Sequence, residues 1–92
     1  KMITAMILIN TERGKVNLAG AQIASIEGVQ EVWSVSGRYD LVAIIRIRHI
    51  DDLARIATEK LATVDGITHT ESMVAFKKIS PADIAGMLDL GS

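Results

Sequence analysis

The chain repeats itself weakly, and the repeat constrains what it can fold into. Ile3, Ala5, Ile7 and Ile9 recur at one constant offset as Leu41, Ala43, Ile45 and Ile47. At the same offset Leu18, Ala19, Ile23 and Ile26 recur as Ile56, Ala57, Leu61 and Val64, and Gly28-Val29 recurs as Gly66-Ile67. Each half reads strand, helix, glycine, strand. Two right-handed split βαβ halves predict an α+β ferredoxin-like βαββαβ sandwich, a four-stranded antiparallel sheet with both helices on one face.

The elements follow from periodicity and punctuation. Met2 to Ile9 is apolar on both alternating sets, so it predicts a strand covered on both sides. The first helix is expected over Gly14 to Ile26, with Val16, Ala19, Ile23 and Ile26 as its apolar stripe. Gly28 sits where the turn after a helix needs a positive φ. Strands are expected over Gln30 to Ser36 and Leu41 to Arg48. Asp51 is placed to cap a second helix over Asp52 to Thr63, with Leu53, Ile56, Ala57 and Leu61 inward. The last strand is expected over Thr68 to Ile79. "SPAD" then reads as a helix start, with Ser80 as N-cap and Pro81 at the first helical position, so residues 1–79 form the domain and 80–92 a C-terminal helix or tail.

Both helices lie on one sheet face, which leaves Met2, Met6, Leu8, Val42 and Ile44 on the other. A chain of 92 residues with 49% hydrophobic and only 3% aromatic residues has an aliphatic core and an excess of apolar surface for its size. One short tail helix is too small to cover that face. A homodimer packed sheet to sheet is therefore expected.

Composition excludes several function classes. Ten basic residues stand against eleven acidic ones, a net charge of −1, so no strong field draws the chain to nucleic acid or a membrane surface. No apolar run approaches a bilayer span or a secretory signal. Cysteine is absent, and a cytoplasmic location is expected. His49 and His69 lack metal-ligand spacing, so no metal site is expected. Asp51-Asp52 reads as cap and helix-dipole acid, not as an acid/base pair. Glu71 reads as a solvated or interface salt-bridge partner. Arg46, Arg48, Lys77 and Lys78 read as rim charges, since no aromatics interleave them for nucleic-acid stacking. No catalytic residue, enzyme activity or cofactor is expected.

One stretch is over-furnished for a turn. "VSGRYDLVAI", Val35 to Ile44, joins two strands, and Asn-Gly or Asp-Gly would have closed such a hairpin. Gly37 permits close backbone approach, and Tyr39 offers a flat wall and a hydroxyl. Asp40 can lock the turn by accepting backbone N–H groups, or can receive an ammonium. Thr70 and Ser72 present short hydroxyls on one face of the last strand. The set suits an α-amino acid; it equally suits a tight hairpin beside a strand that tolerates hydroxyls.

"VSGRYDLVAIIRI", with "EGVQEVWSVSG" before it and "VDGITHTESMVAFKKI" after it, resembles the effector-binding domain of the Lrp/AsnC (feast/famine) transcription regulators, often called the RAM domain. The resemblance runs from about Ile3 to Ile79. It implies the same βαββαβ fold, dimers through the sheets, and higher assembly, often a ring of four dimers. It implies an amino-acid effector held between dimers by Gly37, Arg38, Tyr39, Asp40 and Leu41, with Thr70 and Ser72 nearby. Arg38 stands at a variable position and inherits no role. The chain resembles the stand-alone form, without a helix-turn-helix domain, so no direct nucleic-acid binding is expected. Its output would pass through protein contact, with a full-length family regulator as one partner. Asp40 is the one acid evident at the pocket, so a neutral, apolar effector is expected. Alternative readings are a small monooxygenase-like dimeric enzyme, whose open sheet face would carry inward His, Arg or Asn, and a purely structural oligomerisation module.

Overall fold

The computed structural model describes residues 1–83; the tail helix expected beyond Ser80 falls largely on residues 84–92, outside the described residues. The order is β1 (Ile3–Thr11), α1 (Val16–Ala24), β2 (Val29–Ser34), β3 (Leu41–Ile47), α2 (Ile50–Arg55) and β4 (Ile67–Val74). The sheet is antiparallel with strand order β2-β3-β1-β4, so the two halves of the repeat meet at its centre. There β1 pairs with β3 from Ile3 opposite Ile47 to Ile9 opposite Leu41, with Met6 opposite Ile44 at the midpoint. The sequence repeat is thus a pseudo-two-fold about that pair.

Alternation along β1 and β3 splits the two faces. Ala5, Ile7, Ile9, Leu41, Ala43, Ile45 and Ile47 are buried beneath the helices, with Ala19 and Ile23 of α1 and Leu53, Ile56, Leu61 and Val64 of the second helical segment. Burying such a side chain stabilises by roughly 1.5–3 kcal/mol, and this aliphatic layer carries the fold. The other face holds Met6, Leu8, Val42 and Ile44, half-buried by their neighbours and covered by no described element.

Several boundaries differ from expectation. Gly14 has φ 82, a left-handed conformation that ends the loop rather than starting a helix, so α1 begins two residues later. Asp51 is not the cap of α2: His49, in extended conformation, is, and Asp51 and Asp52 both lie in the first turn, where the helix dipole favours acids. Beyond Arg55 the helix widens into a π turn, Ile56–Lys60, and tightens into a 3₁₀ turn, Leu61–Thr63. β2 stops at Ser34 and β4 at Val74, short of the expected ends. Ala75 still donates to Thr4 O at 2.9 Å, but Phe76 beyond it is fully exposed. At the described end of the chain Ser80 N donates to Asp83 Oδ2 at 3.1 Å while Asp83 N donates to Ser80 Oγ at 3.4 Å, a reciprocal capping box.

Candidate ligand-binding corner

The corner between β2 and β3 is stitched to the sheet through Asp40. Its backbone N–H donates to Ile9 O at 2.9 Å, its carbonyl accepts Val35 N–H at 3.0 Å, and its Oδ2 accepts the Thr11 N–H at 2.8 Å. Of the two roles open to Asp40 from sequence, the turn lock is the one seen. One carboxylate oxygen is thereby committed to holding β1. Beneath the corner the Thr11 hydroxyl is buried with no hydrogen-bond partner among the described residues.

Gly37 has φ 107, and nothing lies within 4 Å of the position a Cβ would take. The glycine therefore serves the backbone turn, and no described part of the same chain approaches it closely. Arg38 is exposed. Leu41 is buried, its side chain in the core against Gly20 of α1, so only its backbone remains at the corner.

Tyr39 reaches across to β4, where its hydroxyl donates to Glu71 Oε1 at 2.5 Å. That bond favours the neutral phenol, so the Tyr39 pKa is raised, first by the hydrogen bond to Glu71, then by desolvation and by the charge of Glu71. Glu71 is the residue at this site that the sequence did not reveal. It pairs with Leu8 across β1 and stands on the open face, an exposed carboxylate beside the aromatic wall. The register of β4 against β1 was the missing signal.

The same register places the two hydroxyls elsewhere. Thr70 pairs with Ile9 and Ser72 with Ile7, so both share the helix-side face, opposite to Glu71. Gly37, Tyr39, Asp40 and Glu71 are brought together in one chain; Thr70 and Ser72 lie near them in sequence register but on the other side of β4. That strand is a sheet edge, so a ligand touching both sets must straddle the edge or sit between two chains.

Comparisons with known proteins bear on the family and the fold. The family model described as the Lrp/AsnC ligand binding domain matches residues 4–84. An uncharacterized HTH-type transcriptional regulator of Pyrococcus abyssi is 32% identical over 72 residues, which cover 78% of this chain and 46% of that one. A crystal structure of a Thermus thermophilus protein is similar at TM-score 0.80 and 36% identity, over 85% of this chain and 98% of that one. Escherichia coli AsnC is similar at TM-score 0.76 and 25% identity, over 83% and 52%. The chain spans about half the length of the curated relatives it matches. It belongs to the Lrp/AsnC family, as a ligand-binding domain of the ferredoxin-like fold.

Proposed function

We propose that this domain senses an amino acid at the Gly37–Leu41 corner and passes the signal on through its assembly, in the service of transcription regulation. The observation that carries the reading is the corner itself. A glycine in a left-handed conformation opens onto empty space, beside an aromatic tied to Glu71 and an aspartate tied to β1. A hairpin needs none of those ties to close.

The ligand contacts would be divided between chains. The corner of one subunit offers Gly37, Arg38, Tyr39 and Asp40, with the backbone of Leu41; Thr70 and Ser72 of a neighbour supply hydroxyls. Two copies pack through the faces bearing Met6, Leu8, Val42 and Ile44, and pairs associate further into a ring. A full-length regulator of the family is the partner that fits such mixed assembly, in the cytoplasm. The fold can present an amino acid: distant neighbours from Neisseria meningitidis and Mycobacterium tuberculosis, at 14% and 20% identity, are L-methionine complexes, although that likeness carries the fold alone. The expectation of a neutral effector rests on Asp40 as the one acid present. Glu71 removes that ground, and a cationic side chain fits beside Tyr39 as well as an apolar one.

Calorimetry and thermal shift across the amino acids test the reading. One amino acid or a narrow class should raise stability by mass action, and Tyr39→Ala should abolish the rise while leaving the fold intact. Stability unmoved by every amino acid, in a protein that still oligomerises, would leave the structural oligomerisation module as the better reading.

A further inference from the structure

The helical layer stops short of β4. Thr70, Ser72 and Val74 pair with Ile9, Ile7 and Ala5, so all three lie on the helix side of the sheet. Their partners on β1 are fully buried, yet Ser72 and Val74 are exposed and Thr70 is only half-buried. Between the second helical segment and this strand runs a groove of about 240 Å³. Buried Leu61 and Val64, with Ala57 and Ala62, form its helical wall; the opposite wall includes Thr70 and His69. The helical wall is made where the pitch changes from the π turn Ile56–Lys60 to the 3₁₀ turn Leu61–Thr63. Such widened turns recur at functional sites. The groove lies on the side away from Met6, Leu8, Val42 and Ile44, so a second copy packed on the open face leaves it uncovered.

Size and lining limit what enters. Pockets for drug-sized ligands measure about 300–1,000 Å³, so this groove has room for one side chain. Among the described residues no Asp, Glu, Lys or Arg lines it, so a charged group there would shed water without gaining a counter-charge. Apolar atoms gain by the same move. We propose that the effector's side chain enters this groove of the neighbouring subunit, beside Thr70, while the corner of the first subunit takes its ammonium and carboxylate. The effector is then an amino acid with an aliphatic side chain, and Ala57 and Ala62 set the length admitted. The proposal rests on the amino-acid-sensing reading and narrows it. The other placement, beside Glu71, lies across β4 on the face that a second copy covers, and Glu71 already accepts the Tyr39 hydroxyl.

Calorimetry with norleucine and lysine is the test, because the two side chains share a four-carbon stem and differ by the terminal ammonium. Norleucine should bind about tenfold or more tighter than lysine. From alanine through 2-aminobutyrate to norvaline, affinity should rise about fourfold for each methylene. Ala62 is exposed, so Ala62→Leu should leave circular dichroism and assembly unchanged. It should weaken norleucine about tenfold or more and alanine by less than about twofold. Lysine binding tighter than norleucine, or an Ala62→Leu loss equal for norleucine and alanine, would overturn the proposal; binding that Tyr39→Ala still abolishes would leave the sensing reading in place. Assembly lost in Ala62→Leu without any ligand would overturn it in favour of a protein contact in the groove. If no amino acid binds, the sensing reading itself fails, and this proposal with it.

Discussion

Asp40 and Tyr39 make the corner, and they do so in different ways. Asp40 satisfies a backbone N–H of β1, so its loss leaves the Thr11 N–H unpaired in a part-buried place. Asp40→Ala is expected to cost about 1–3 kcal/mol, read by chemical denaturation. Loss of ligand response in that variant would therefore not identify a contact, whereas Tyr39→Ala is the cleaner probe. Tyr39 is the only tyrosine, so tyrosinate absorbance reports it alone. Its pKa is raised by the bond to Glu71. A raised folded-state pKa means a contribution present below the ordinary tyrosine value and lost as pH rises through the folded one. Glu71→Gln should lower the tyrosine titration toward its ordinary value. An unchanged titration would show that the Tyr39–Glu71 bond does not persist in solution. The Lys15–Asp65 pair shows the acid-side counterpart: hydrogen bonding to Lys15 lowers the Asp65 pKa, a contribution present above the ordinary carboxylate value and lost as pH falls through the folded one. Both groups are exposed, so little stability rides on it.

At the scale of elements, matched glycines do unequal work. Gly28 and Gly66 close the two repeats at φ 99 and 93. A Cβ at Gly28 would stand 3.0 Å from Ile56 Cδ1 and 3.2 Å from Ile47 Cγ2, at the seam between sheet and second helix. Gly37 has the same backbone hand but open space around it. Gly37→Ala should cost only the left-handed penalty, about 1–2 kcal/mol. Gly28→Ala should cost about 1 kcal/mol or more beyond that, through crowding. Denaturation midpoints of the two variants compare these terms directly; equal losses would mean that the seam relaxes freely. The helix stripes, the strand starts and the glycine positions were legible in the sequence because each rests on local rules. The ends of β2 and β4, and the change of pitch after Arg55, were not, because a strand ends where its partner's hydrogen bonds run out.

For the whole molecule the open face is the largest unmet demand. Met6 lies at its centre, opposite Ile44 on one side and Met73 on the other. Light scattering should find a dimer or larger assembly at micromolar concentration. Met6→Lys should reduce it to monomer while far-ultraviolet circular dichroism is retained. A monomeric wild type would refute the sheet-to-sheet pairing. Ile7, buried in the opposite layer, tests the core instead: Ile7→Ala should lose about 2–5 kcal/mol, enough to unfold much of so small a domain.

The sequence by itself determined the element order, the two-faced strands, the aliphatic core and the unusual corner. Those features live in periods of two and 3.6 residues and in the repeat, all readable along one chain. Only the tertiary structure decided that Asp40 locks β1, that Glu71 meets Tyr39, and that Thr70 and Ser72 face away from both. The reason is register. Moving β4 by one residue along β1 would exchange Glu71 with its two hydroxyl neighbours between the faces, and no local pattern in a strand so evenly exposed selects between those pairings.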